Sequence, residues 1–158
     1  GQYTDVFKKI TKGTALRGMR LPLGWLENYA PEALLNLPVE RKDPLDWGPP
    51  IPIRPMSYKP EGKYGNASSW TYEWRSARRF TTMWKKDTLP VILHSSFESG
   101  YFMGTSSFKK YKGGRYKNVF GIKKLNPNAH EEEAILFGEC TVTAVQIYAT
   151  KQDVEKLK

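Results

Sequence analysis

Residues His130 to Thr150 read HEEEAILFGECTVTAVQIYAT. Two apolar stretches, Ala134–Phe137 and Thr141–Tyr148, are separated by Gly138-Glu139-Cys140 and are rich in β-branched and aromatic residues, the composition of strands. Three glutamates lead directly into the first of them. Residues two apart on a strand share a face, so Glu131 and Glu133 belong together and Glu132 points away. Two carboxylates so placed repel each other and call for solvent or a cationic partner.

Working outward, TALRGMRL (Thr14–Leu21) and VILHSSF (Val91–Phe97) also read as strands. Helical spacing appears in Tyr3–Ile10, in APEALLNL (Ala30–Leu37) with Pro31 at its first turn, and most clearly in Tyr72–Lys86. In the last of these Trp74, Ala77, Phe80 or Thr81, and Trp84 would form one buried face. Thr150, with Asp153 three residues on, has the spacing of a capping box for a terminal helix. Gly113-Gly114 marks a hairpin turn in FKKYKGGRYKNVFGI. Residues 38–66 contain Pro38, Pro44, Pro49, Pro50, Pro52, Pro55 and Pro60 and read as a long irregular loop, a kind of loop that is commonly functional. Helices come early and strands late, with too few alternations for a doubly wound sheet. The fold class is α+β.

The chain has 158 residues, 39% of them hydrophobic, enough for one folded domain spanning residues 1–158 with a real core. It opens on Gly1, which suggests a processed product or a fragment. No apolar run reaches the ~20 residues of a membrane span. The single cysteine, Cys140, excludes an internal disulfide framework and a cysteine-built zinc site, and no metal site is expected. The net charge of +9 is uneven: residues 61–124 hold 13 basic and 4 acidic side chains, whereas residues 125–158 hold 3 and 6. A basic middle beside an acidic end favours a phosphate-bearing ligand or a polyanion.

Three stretches could carry chemistry. Arg17, on a strand and followed by Gly18, offers a planar fork suited to phosphate or carboxylate. Ser69 and Thr71 stand two apart ahead of the amphipathic helix. The third is the glutamate run. Taken singly, each has an ordinary explanation: an internal ion pair, helix-capping hydroxyls, a solvated strand end. His94 in its apolar strand reads as a packed core histidine rather than a base, and His130 is unassigned. The segment Gly100–Ser106 lacks the lysine of a P-loop, and neither a G-x-S-x-G elbow nor a G-x-G-x-x-G turn is present.

In this order and spacing the three stretches resemble the mono-ADP-ribosyltransferases of the Arg–Ser–Glu class. Leu16-Arg17-Gly18 stands for the first motif, and Ser69-Trp70-Thr71 for the Ser-Thr-Ser motif, with Ala77 and Phe80 in the helix positions that follow. Pro90–Leu93 matches the next strand, and Glu131-Glu132-Glu133-Ala134-Ile135-Leu136 the Glu-x-Glu motif. The resemblance covers about residues 12–148. It departs from the family at Trp70 and Thr71, where Thr and Ser are usual, and at Ala134, where Val or Ile is usual. Anchoring the last motif on Ile135-Leu136 makes Glu133 the catalytic position.

The resemblance implies a two-sheet core with an NAD cleft between the sheets and helices packed on the N-terminal side. It implies transfer of ADP-ribose from NAD with release of nicotinamide. Nicotinamide leaves as a neutral molecule, so no general acid is required; a carboxylate fixed beside the developing oxocarbenium charge is. Glu133 would supply that carboxylate, and Glu131 would hold and deprotonate an arginine acceptor. Arg17 would clamp the diphosphate, and Ser69 would orient Glu133 or the ribose. Gly18 and Thr71 complete the implied NAD-binding set. The proline-rich loop and Tyr101–Phe102 are candidate walls of the nicotinamide pocket. In this family Glu-x-Glu accompanies arginine acceptors, so a target protein with an accessible arginine is the implied partner. Family members of this size are often toxins or phage-delivered effectors, which implies secretion or phage delivery and action in a host cytoplasm. A nucleic-acid acceptor or simple NAD hydrolysis are the alternatives within the class.

The alternative of another class rests on FKKYKGGRYK. Lys109, Lys110, Lys112, Arg115 and Lys117 interleave there with Tyr111 and Tyr116, the pattern of a non-catalytic single-stranded nucleic-acid-binding module.

Overall fold

Three consecutive residues, Val91, Ile92 and Leu93, are wholly buried, so the strand that carries them is covered on both faces. This strand, Thr88–Phe97 (β4), pairs antiparallel with Gly13–Pro22 (β1) along its whole length, from Gly13 opposite Phe97 to Pro22 opposite Thr88. The structure is a computed structural model that describes residues 13–59, 67–97, 101–104, 115–117, 123–125, 133–137 and 139–158. The expected helix over Tyr3–Ile10 and the expected turn at Gly113-Gly114 lie outside the described residues.

On the far side of β4 lies Cys140–Ile147 (β9), and beyond it the edge strand Ile51–Tyr58 (β2). On the far side of β1 come Ala67–Thr71 (β3), Glu133–Phe137 (β8) and Tyr101–Gly104 (β5). The order is β2-β9-β4-β1-β3-β8-β5, and every neighbouring pair is antiparallel. Arg115–Lys117 (β6) and Lys123–Leu125 (β7) form a separate two-stranded ladder. The seven strands are therefore linked in one order rather than as two detached sheets. The link is narrow: β1 and β3 share a single paired position, Leu16 opposite Thr71. A four-stranded half and a three-stranded half meet there.

One face of the four-stranded half carries the main core. Ala15, Val91, Leu93, Val142, Val145 and Ile147 pack with Trp70 of β3 and with Leu26, Ala33 and Leu37 from the N-terminal helices. Those helices are Leu23–Tyr29 (α1), which has no cap signal in the sequence, and Pro31–Leu35 (α2), which starts on its proline as expected. The opposite face is smaller: Trp47, Ala77 and Ile92 are buried with Leu16, Trp74 and Tyr148 against them. The closing helix, Lys151–Lys156 (α4), begins with the expected capping box, in which Thr150 and Asp153 each accept the other's backbone N–H.

Two expectations change. Within the proline-rich stretch, Ile51–Tyr58 is strand β2 and not irregular loop. An edge strand needs ladder donors on one side only, so prolines are tolerated there, and the register shifts between Pro52 and Met56 as it passes Pro55. The helix expected over Tyr72–Lys86 is only Trp74–Arg79 (α3). The Thr81 and Thr82 hydroxyls donate to the carbonyls of Arg78 and Arg79, at 2.6 and 2.7 Å, a local alternative that competes with helical continuation. Trp84, expected on the buried face, is therefore 73% exposed, and Phe80 is exposed as well.

Candidate functional site

The ladder registers place three sequence motifs side by side. Leu16 on β1 pairs with Thr71 on β3, and Thr71 pairs with Glu133 on β8. With strands about 4.8 Å apart, β1 and β8 lie about 10 Å from each other on either side of Thr71. The same row continues through His94 and Ala144 on β4 and β9. Ser69, two residues before Thr71, is opposite Ile135. Tyr101 and Phe102 flank Phe137 and Leu136 on the far side of β8. Glu131 and Glu132 lie outside the described residues, as do Lys109, Lys110 and Lys112; the backbone of Arg115–Lys117 is β6.

Thr71 is buried, and its hydroxyl accepts the amide of Glu73 at 3.0 Å. The N-cap of α3 is Glu73, whose carboxylate accepts the Arg75 amide at 3.1 Å. Thr71 thus shapes the turn into α3 and leaves the cap to Glu73. Gly18 lets α3 approach β1: a Cβ there would lie 1.7 Å from the Ala77 carbonyl oxygen. Arg17 is half-buried on the face opposite Leu16 and Thr71, because alternate residues of a strand change sides. Its guanidinium stands 5.9 Å from the ring centroid of Tyr58, and Tyr58 meets Trp70 edge-on at 5.5 Å. The structure therefore brings Thr71 and Glu133 into one backbone row and sets Arg17 one position past its β1 end.

His94 is held by a network that sequence alone did not reveal. Gln146, buried on β9, accepts from Trp74 Nε1 at 2.9 Å through Oε1 and donates through Nε2 to the Gly48 carbonyl at 2.7 Å. The indole N–H can only donate and the carbonyl can only accept, so the amide orientation is fixed. The same Oε1 lies 2.8 Å from His94 Nε2, which must therefore carry a proton. Burial lowers the imidazole pKa from its ordinary 6.5. His94 is the packed histidine expected from its strand. Arg41, from the proline-rich stretch, donates Nη2 to the Ile147 carbonyl and Nε to that of Ala149, closing the β9 edge where β2 has ended. The Cys140 thiol is buried, and burial pushes its pKa up to about 12, so it is inert as a nucleophile.

A cavity of about 200 Å³ lies between α2, the segment before β2 and β9, lined by Leu37, Glu40, Arg41, Trp47 and Gln146 among others. A wider one of about 450 Å³ separates α1 and α2 from α4. Neither is lined by Arg17, Ser69 or Thr71. Among the described residues no helix is long and apolar enough to cross a membrane. Comparison of the chain with family models, with curated proteins and with solved structures gives no match.

Proposed function

We propose that this chain is a mono-ADP-ribosyltransferase that moves ADP-ribose from NAD to arginine side chains of a target protein. The observation that carries the reading is the shared row of Leu16, Thr71 and Glu133, because it gathers on neighbouring strands three motifs that lie far apart in sequence. The reading places its NAD cleft beside the single pair between β1 and β3, where the two halves share no further ladder position. The resemblance assigns the diphosphate to Arg17; its side chain lies on the other face of β1 from the Thr71–Glu133 row, so NAD must pass between β1 and β3 to meet both. The Glu133 carboxylate bonds the ribose 2′-hydroxyl and stabilises the oxocarbenium ion as the C–N bond breaks and its electron pair leaves with nicotinamide. Ser69 orients that carboxylate. The acceptor guanidinium then forms the new C–N bond, and its proton passes to Glu131.

The test is nicotinamide release from NAD together with transfer of labelled ADP-ribose, measured for three variants side by side. Glu133→Gln should abolish both, a loss of roughly 10²–10³ or more. Glu131→Gln should lose transfer to arginine and keep much of the hydrolysis, where water is the acceptor. Glu132→Gln should change little. Wild type that releases no nicotinamide would overturn the enzyme reading. Label removed by nuclease and not by protease would replace arginine with a nucleic-acid acceptor.

A further inference from the structure

The segment RSARRFTTMWKK, Arg75–Lys86, has five basic residues and no acidic one. Only its first half is helix, and the part that leaves the helix is unusually apolar at its tips: Phe80 is 49% exposed, Met83 82% and Trp84 73%. Lys85 and Lys86 follow in the same exposed turn. The loop is pinned at its base. Arg20 on β1 donates Nη1 to the Thr81 carbonyl at 3.2 Å, Nε to the Thr88 hydroxyl and Nη2 to the Thr88 carbonyl, both at 3.1 Å. Thr88 in turn donates to the Lys85 carbonyl at 2.6 Å, and Asp87 completes the turn in the left-handed region at φ 59°. One arginine thus joins the two ends of the loop, and the tips are presented in a preset shape.

We propose that this loop and the last turn of α3 form a docking surface for single-stranded nucleic acid. The chemistry is that of flat apolar groups flanked by cations: Lys85 and Lys86 meet phosphates, while Trp84 and Phe80 stack on bases. A duplex hides its base faces and offers nothing to the aromatics. The exposed Phe80, Met83 and Trp84 lie between Arg78-Arg79 and Lys85-Lys86, and a membrane surface is the alternative that the test below separates. The loop is distinct in sequence from the basic stretch Lys109–Lys117, and the proposal does not depend on the transferase reading.

The test is fluorescence anisotropy of a labelled mixed-sequence oligonucleotide of about 16 nucleotides, the upper end of ordinary single-strand site sizes. Wild type should bind it at low salt and bind the matching duplex more weakly. Trp84→Ala, at an exposed position and with its fold checked by circular dichroism, should weaken single-strand binding roughly 5- to 150-fold. Lys85→Gln with Lys86→Gln should flatten the dependence of log affinity on log salt by about 0.7 per lost phosphate contact. Neutralising Lys109, Lys110, Lys112, Arg115 and Lys117 should leave the effect of Trp84→Ala in place. Three results would each overturn the proposal: no oligonucleotide binding at low salt, binding that Trp84→Ala and Phe80→Ala leave unchanged, or a preference for phosphatidylserine vesicles over the oligonucleotide.

Discussion

Gly18 and Arg17 are neighbours with different physical constraints. Gly18 is fixed by packing: the Ala77 carbonyl oxygen occupies the place a Cβ would take, and the carbonyl carbon is 2.6 Å from it. Gly18→Ala must push α3 away from β1, and we expect a loss of at least about 2–3 kcal/mol, read from urea denaturation. A change below about 0.5 kcal/mol would mean that α3 does not rest on β1 in this way. An Arg-Gly pair was legible in the sequence, but it suggested an anion site and gave no hint that the glycine is needed for close approach of a helix. Arg17 was expected to require an anion because a partly buried arginine on a strand usually does. In the fold it is also covered by the ring of Tyr58, a residue forty positions away that the proline-rich stretch had marked as loop.

At the level of elements, local signals were dependable where a single local interaction decides the outcome. The capping box at Thr150 is such a case, and α4 holds Val154 and Leu157 against the main core. Thr150→Ala should remove the side-chain acceptor of the Asp153 amide at the helix start and cost about 1 kcal/mol, measured as a shift in the denaturation midpoint with unchanged m-value. No shift would mean that α4 is held by its packing alone. The elements that were misread depend on neighbours. Pro52 and Pro55 argue against a strand until the strand is known to be an edge. The spacing of Trp74, Ala77 and Trp84 argues for a long helix until the hydroxyls of Thr81 and Thr82 turn back to the chain and the second half leaves the sheet.

Across the whole molecule, Gln146 joins β9 to β4, α3 and the segment before β2 through His94, Trp74 and Gly48. Burial makes folded His94 harder to protonate than in the unfolded chain. As pH falls below the ordinary histidine value of 6.5, the unfolded chain takes up the proton first. The contribution is present above that value and lost below it, so stability should fall between about pH 7 and pH 5. Denaturation at the two pH values, compared with His94→Gln, whose amide nitrogen reaches the Nε2 position as a donor toward Gln146 and cannot titrate, should show a shallower loss in the variant. An imidazole resonance that titrates above 6.5 would contradict the burial. The sequence alone determined the class, α+β, the central strands and the capped last helix, because β-branched runs and caps act over a few residues. It also marked Arg17, Ser69 and the glutamates as groups with chemistry to offer. Only the tertiary structure decided which of them share a row, that β1 and β3 touch at one position, and that Gln146 fixes His94. Strand register and a polar network are set by contacts between residues distant along the chain, and no local pattern records them.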